Sequence, residues 1–406
     1  MAVLAAGATI LEGLINTIGS GPRKEPLVCT CGQIMESNGL RVKEVLTIMG
    51  PVSYKRSMYQ CPDCGAVRYP GDEALDVVDT TRSPGVRRMM ARAGGNATFK
   101  EAKEDLSIYA GIEVSAKDIE RVAEGTGESV ELWSRQQSTI TEGENSAPSV
   151  PVLYISYDGT GVPMVPWETQ GRAGKQPDGS AKTREAKLGC VFTQTTVDEE
   201  GRPVRDPDST TFIGAIETAE EFGGHIYDEA VRRGLYGAKK VVVLGDGAQW
   251  IKNLAEMHFP EAIQIVDLYH AREHVSNLCK ILFKGDEKRL LRHRKKWWTY
   301  LDEGMSQKII ADAKRKLSKH EESKKEALKE INYFRKNKKR MKYAWFRAQG
   351  LFVGSGVIEA GCKSIVAQRL KRSGMEWTVR GANSIIALRC MIKSNRFEDY
   401  WGDRAA

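Results

Sequence analysis

The chain reads as an α/β protein in which a mixed sheet is interrupted by a helical insertion and preceded by a small cysteine-bearing β module and a helical region. Three observations predict this. Two close-spaced cysteine pairs flank a β-rich stretch, apolar strand runs after residue 150 first follow one another and then alternate with helices, and residues 280–348 form a basic block of helix formers. At 406 residues the chain has room for two or three domains and a substantial buried core.

The first segment, residues 1–20, is apolar but lacks the basic start of a signal peptide and carries Glu12 and Asn16. Leu4, Leu11, Leu14, Ile15 and Ile18 follow helical spacing, so a short amphipathic helix is expected rather than a membrane span. A cytoplasmic protein with no membrane partner is the corresponding expectation. Residues 21–72 contain Cys29-x-Cys31 and Cys61-x-x-Cys64 beside the turn formers of "CTCG" and "CPDCG", with "LRVKEVLTIMGPVSYKRSMYQ" between them. That pattern predicts a zinc ribbon, four thiolates closing a tetrahedral structural Zn²⁺ site; two unrelated reduced dithiols are the alternative. A disulfide framework is not expected without a secretion signal. Cys190, Cys279, Cys362 and Cys390 stand singly in apolar surroundings and read as inert buried thiols.

Residues 83–135 are predicted helical, broken at Gly111, with Ser115 capping a further helix through Ile119 and Val122. As a helix-turn-helix DNA-binding domain this would put Ser115–Glu124 in a major groove with Lys117 and Arg121 facing DNA, whereas a plain αα-hairpin gives the same pattern. Residues 136–151, "QQSTITEGENSAPSVP", are polar and aperiodic and read as a linker.

The first part of the core is expected over residues 152–279. "PVLYISYDGTGVPMVP" predicts a strand ending at Asp158, a glycine turn and a second short strand, and "KLGCVFTQTTV" a third. Residues 217–234 look helical, "KKVVVLGDG" is a strand ending at Asp246, "AQWIKNLAEMHF" a helix and "IQIVDLYH" a fifth strand entering another helix. Three strands in hairpin order followed by β/α alternation fit a mixed sheet of ribonuclease H type. Residues 280–348 read as a helical insertion with a core of its own that includes Trp297, Trp298 and Trp345, and residues 349–406 complete the core.

The net charge is +8, but residues 280–348 hold 23 Lys and Arg against 9 Asp and Glu. Such asymmetry argues for a polyanionic partner, since clustered cations release counterions from nucleic acid; a solvated helical face is the plainer reading.

Asp158 and Asp246 each follow an apolar run and precede glycine, a dipeptide that by itself marks a turn. Two acids at the carboxyl ends of core strands can instead converge on a ligand crevice. Glu359, in "VGSGVIEAGCKS", starts a helix whose Ile358, Ile365 and Val366 should pack on the sheet, and it could equally serve the helix dipole. Three acids without a nucleophile suit Mg²⁺ or Mn²⁺ and phosphodiester transfer, because hard cations take oxygen ligands and retain waters.

Together "YISYDGTGVPMVP", "VVVLGDGAQWIKNLA", "DLYHAREHV" and "GSGVIEAGCKSIVAQRLKRSGMEWTVRGANSIIALR" resemble DDE transposases of bacterial insertion sequences, closest to the ISKra type, over residues 150–397. The resemblance implies a ribonuclease H-like catalytic core with a helical insertion before the third acid. It also implies Asp158, Asp246 and Glu359 as the metal-binding catalytic acids. Asp267-x-x-His270 resembles a motif found after the second acid in related transposases, which implies an active-site-edge role for His270. Read without the resemblance, His270 is a structural histidine, a zinc ligand with His274 four residues on, or a contact at the catalytic site.

"RLKRSGMEWTVRGANSIIALR" predicts a basic helix, a stop at Gly374 and a second helix led by Thr378. Lys363, Arg369, Lys371, Arg372 and Arg380 would then lie near Glu359 and neutralise DNA phosphates, with Trp377 either packed or stacked on a base. The expected function is Mg²⁺-dependent cleavage and strand transfer on double-stranded DNA bearing terminal inverted repeats, into a target DNA, by a homodimer at the nucleoid. A ribonuclease H-fold nuclease or resolvase that cuts without joining, and an inactive DNA-binding protein, are the alternatives.

Overall fold

The computed structural model describes residues 2–18, 25–136, 150–317 and 321–405. The chain divides into two compact units, Met1–Thr126 and Gly127–Ala406.

In the first unit, α1 (Ala2–Ile18) lays Ala8, Leu11 and Ile15 against Val45, Val52, Tyr54 and Val77. Leu4 and Leu14, expected on the buried face, are instead exposed. β1 (Glu36–Thr47) and β2 (Gly50–Gln60) form an antiparallel hairpin, to which the short β3 (Val67–Arg68) adds beside the second cysteine pair. A short α2 (Pro70–Ala74) leads to α3 (Pro84–Asn96), α4 (Phe99–Ala110) and α5 (Ala116–Gln136). Local chemistry sets these boundaries. Ser83 caps α3, Thr98 and Glu101 form a capping box on α4, Gly111 ends α4 in the left-handed region, and Ser115 Oγ accepts from the Asp118 amide at 3.0 Å. Val86, Met90, Ala102, Leu106, Ile112, Val114 and Ile119 close one core over α3, α4 and the start of α5. The second helix therefore starts where Ser115 predicts but runs to Gln136, well past Glu124. The expected linker lies largely outside the described residues, which resume at 150.

The second unit is built on a five-stranded mixed sheet. β4 (Val152–Pro163) is followed by α6 (Pro166–Thr169), β5 (Thr183–Gln194), the small β6 (Thr196–Val197) and β7 (Pro203–Val204) pair, and β8 (Thr211–Ala215). Then come α7 (Ala219–Arg232), β9 (Lys240–Gly245), α8 (Gln249–His258) and β10 (Ile263–Val266). The strand order is β10-β9-β4-β5-β8, with β4, β5 and β8 antiparallel to one another and β4, β9 and β10 parallel. Two sequence expectations are corrected. Asp158 does not end a strand, because β4 continues through Gly159 and Gly161 to Pro163, which absorbs the expected second strand. The third hairpin strand is β8, whose five residues "TFIGA" are too short to give an alternation signal.

Side-chain alternation sorts the two faces. Leu153, Ile155, Tyr157, Val191 and Val243 point to the α7–α8 side, where they meet Phe222, Ile226, Ile251 and Leu254. The even-numbered residues of β4 and β9 therefore point to the opposite face.

After β10 the chain enters a helical body made of α9 (Leu268–Leu282), α10 (Glu287–Asp302), α11 (Ser306–Lys314), α12 (Glu321–Asn337) and α13 (Tyr343–Ala348). Residue 280, the expected start of the insertion, falls inside α9. Trp297 is fully buried and its indole N–H donates to Asp312 at 2.9 Å. Trp298 is half-buried, whereas Trp345, expected in the same core, is 54% exposed. The chain returns through α14 (Gly356–Gly361), a π-helical turn at Cys362–Ala367, α15 (Gln368–Leu370), α16 (Val379–Lys393) and α17 (Phe397–Ala405). Ile358, Ile365 and Val366 are buried as expected. At Gly361 a Cβ would stand 2.7 Å from the Phe212 ring, so α14 sits directly on the sheet. No helix among the described residues is long and apolar enough to cross a membrane.

Candidate active site

The register of the sheet explains why two acids meet. Ser156 of β4, opposite Leu244, is the last residue paired in parallel with β9, and Asp158 and Asp246 each follow two residues further along, near enough for the charge of Asp246 to act on Asp158. Asp158 sits mid-strand opposite Leu188, accepts from the Gly159 amide at 2.7 Å and faces the Cys362 thiol, 3.7 Å from its Oδ2. Burial holds its carboxyl above the usual aspartate range and the negative charge of Asp246 adds to the rise, opposed by the Gly159 amide, the Cys362 thiol and His270. Asp246 lies just beyond β9, where its Oδ1 accepts from the Ala248 amide at 2.7 Å. The next residue, Gly247, has φ +89°, and a Cβ there would come within 3.0 Å of the Tyr333 hydroxyl. That hydroxyl donates to the Asp246 carbonyl at 2.9 Å, tying α12 to the end of β9.

Glu359 enters from α14 on the same face. Its Oε1 lies 3.1 Å from Ser355 Oγ, and three residues later on that helix Cys362 reaches Asp158. The π-helical turn begins at Cys362, a distortion found often beside functional sites. Burial and the neighbouring Asp158 push the Cys362 thiol far above its ordinary range, so it acts as a neutral donor and not as a nucleophile.

Asp267 joins these parts. It is fully buried, caps α9 by accepting from the His270 amide at 2.7 Å, and accepts at Oδ2 from the Ser355 amide at 2.5 Å; Ser355 Oγ lies 3.0 Å from the same oxygen. Its own amide donates to Gly245 O at 2.7 Å. Asp267, His270 and Glu359 each present a ligand atom within 4.8 Å of the other two. Sequence reading singled out His270 and passed over Asp267 as a functional residue. Ser355, Cys362 and Tyr333 were missed as well, although Cys362 stands three residues from Glu359 and so on its helix face.

The alternatives for the histidines separate. His274 turns away into the helical body, with Nδ1 2.6 Å from Glu330 and its ring stacked 3.6 Å from that of Tyr333. His270 faces Asp267 and Glu359, so the two histidines form no shared zinc site.

Of the expected phosphate-binding cations, Lys363, Lys371 and Arg372 are exposed, and Lys371 Nζ donates to Thr160 two residues beyond Asp158. Arg380 is exposed but ion-paired with Glu128. Arg369 is a correction: it is 1% exposed with its guanidinium 5.1 Å from the Trp377 ring centroid, buried as packing instead of facing solvent. Trp377 is itself buried and donates to Leu370 O at 3.1 Å, which makes it a packing residue. In the first unit Lys117 and Arg121 are exposed, paired along the helix with Glu120 and Asp118.

The four clustered cysteines form a separate centre. Cys29, Cys31, Cys61 and Cys64 hold their sulfurs within 4.8 Å of one another, with Cys29–Cys64 and Cys31–Cys61 each at 3.5 Å and all four thiols free. A tetrahedral zinc with bonds of about 2.3 Å has sulfur–sulfur edges of about 3.8 Å, so the cluster fits a Zn²⁺ ion and is too wide for disulfides. Each pair sits in a turn whose first cysteine amide is hydrogen-bonded, Cys29 to Gln33 O and Cys61 to Ala66 O, both at 2.8 Å.

The model of a family described as "Uncharacterised protein family (UPF0236)" matches residues 227–399, a span that contains Asp246, Asp267, His270 and Glu359. A UPF0236 protein of Caldanaerobacter subterraneus subsp. tengcongensis is 24% identical over 382 residues, covering 89% of this chain and 70% of the relative. Among solved structures, the Drosophila P element transposase strand transfer complex aligns over 78% of this chain and 80% of that one, at 12% identity and a TM-score of 0.26. A likeness that distant carries no conclusion about the fold.

Proposed function

We propose that the chain is a DDE-type DNA transposase of the ISKra insertion-sequence group, with Asp158, Asp246 and Glu359 as its catalytic acids. The observation that carries this reading is that Asp158 lies within electrostatic reach of Asp246 and 3.7 Å from Cys362, three residues from Glu359, while Glu359 itself groups with Asp267 and His270. The strand order β10-β9-β4-β5-β8, a three-strand antiparallel meander extended by two parallel strands, supports a ribonuclease H-like core.

The acids supply only oxygen donors, and Asp158 is half-buried with the charge of Asp246 nearby, an electrostatic cost that a divalent cation relieves, which fits Mg²⁺ or Mn²⁺. When bound, such ions activate a water or a 3′-hydroxyl and stabilise the leaving oxygen. The protein's own groups do the rest. Ser355 orients Glu359, Cys362 donates to Asp158 without ionising, His270 stands at the edge of the acids, and Lys363 and Lys371 meet phosphates. In the first step the oxygen of water bonds to phosphorus and the 3′-oxygen leaves as a hydroxyl, with a 5′-phosphate on the other fragment. In the second, that 3′-oxygen bonds to a target phosphorus and the target strand's own 3′-oxygen leaves. The ribbon, holding Zn²⁺, and the helices α3 to α5 would bind the element ends as part of a cytoplasmic homodimer.

The test is a strand-transfer assay with labelled DNA from either side of the gene encoding this chain, a supercoiled target and Mg²⁺. Joined product from wild type, lost in Asp158→Asn, Asp246→Asn and Glu359→Gln, is the expected result. Cleavage retained by Asp246→Asn would remove that residue from the reaction. Cutting without joining under all conditions would favour the nuclease.

A further inference from the structure

Beside Asp246 the second unit contains an open groove enclosing about 850 Å³, with Gly247, Gln249 and Lys252 on one wall and α12 on the other. Lys252, Lys325, Lys329, Arg335, Lys336 and Arg340 line it, and none of its lining residues is acidic. The helical period explains the segregation: Lys325, Lys329, Asn332 and Lys336 recur every three or four residues and share one stripe of α12. Glu330 of that helix is turned to His274. Lys325, Lys329, Arg335 and Lys336 are exposed and make no ion pair among the described residues. Four exposed cations in one concavity raise the local positive potential, which attracts a polyanion.

The position of the groove says where its ligand leads. Tyr333 lies in the groove wall and also donates to the Asp246 carbonyl, and Gly247 both lines the groove and follows Asp246. The groove thus reaches the residue that follows Asp246. The N-terminal turn of α8, whose amides lack intrahelical partners, opens onto the same wall and adds donors suited to phosphate.

We propose that this groove between α12 and the start of α8 binds the phosphodiester backbone of a nucleic-acid strand and leads it to the acids at Asp246. This rests on the reading of those acids as a phosphodiester-transfer site, but backbone binding and cutting are separately measurable. Contacts are to phosphate and not to base edges, so sequence preference is not expected from this groove.

The experiment uses the full chain and three fluorescent 40-mers of one sequence, duplex DNA, single-stranded DNA and single-stranded RNA, in EDTA so that binding is read without cleavage. The groove variant is Lys325→Gln/Lys329→Gln/Lys336→Gln. The control is Lys288→Gln/Lys295→Gln/Lys314→Gln, which removes the same charge from exposed positions of α10 and α11 outside the groove. Circular dichroism melting verifies that both variants fold. Losing three phosphate contacts should lower the slope of log K against log salt by about 2.7 on duplex or about 2 on a single strand, and weaken binding about 100-fold at 0.15 M salt. The control should stay within about threefold of wild type, and the 40-mer showing the largest loss identifies the strand type that occupies the groove. A groove variant that binds like the control overturns the proposal. If the groove variant loses binding while wild type with Mn²⁺ cuts no DNA, the groove stands and the transposase reading fails.

Discussion

Replacing Asp267 by alanine should loosen two chain segments at once, because one buried carboxylate holds both. Its Oδ1 caps α9 through the His270 amide, and its Oδ2 takes the Ser355 amide at the entry to the helix that carries Glu359. Loss of an N-cap costs about 1 kcal/mol, and an orphaned buried amide costs about 1–3 kcal/mol. Removing a buried carboxylate, which makes no ion pair among the described residues, returns part of that sum. A net loss of about 2 kcal/mol remains, equivalent to about 30-fold more frequent opening. Hydrogen exchange read by mass spectrometry on peptides covering 268–273 and 353–359 measures this directly. Both segments should exchange about 30-fold faster in Asp267→Ala. Asp267→Asn, with a single acceptor oxygen, should loosen one of the two and spare the other. Unchanged protection of 353–359 in the alanine variant would refute the claim that Asp267 holds the Glu359 helix.

The cysteine cluster predicts one zinc per chain by elemental analysis, lost with Cys61→Ser, together with the circular-dichroism signal of the β1–β2 hairpin region; a chain that folds equally well in chelator would count against a structural ion. Asp158 predicts a pH dependence. Its folded carboxyl titrates above the unfolded value of about 3.9, so the folded state binds more protons, and stability present below that value is lost as pH rises through the folded value. Asp158→Asn should therefore melt higher than wild type in EDTA at neutral pH, the difference closing in acid. Added Mn²⁺ should stabilise wild type alone, and identical melting curves for the two proteins across pH would refute the assignment. Tyr333→Phe removes the bond to the Asp246 carbonyl and leaves a part-buried acceptor short of one partner, so stability should fall by about 1 kcal/mol. An unchanged stability would mean that α12 is held on the sheet by packing alone.

Much of the architecture could be read where local chemistry and tertiary need agree. The cysteine turns, the cap at Ser115, and the apolar runs of β4, β5, β9 and β10 all announce themselves within a few residues. The misreadings arise where the two diverge. Asp158-Gly159 has the composition of a turn, yet β4 runs straight through it, because its pairing with β5 continues to Pro163. Arg369 has the composition of a surface residue, yet it is buried against Trp377, a contact that depends on a turn of chain no periodicity reveals. Asp267 was named only as the first residue of the Asp267-x-x-His270 motif, and its link to Ser355 was not legible because that partner is 88 residues away.

The acids themselves show how a site differs from a scaffold in a sequence. Asp is a poor strand residue, and burial beside another acid makes Asp158 worse. Neither Asp158 nor Asp246 makes an ion pair among the described residues, although Lys and Arg are abundant nearby. A chain selected only to fold would place an apolar residue on the β4 face that meets α14, as it does at Tyr154, or pair the acid as it pairs Asp312 with Lys296 and Lys316. Keeping an unpaired, half-buried Asp158 within reach of the charge of Asp246 sacrifices stability at one point. A local rule broken in several coordinated ways in one region is the pattern that the proposed site for a cation and a phosphate would leave in a sequence.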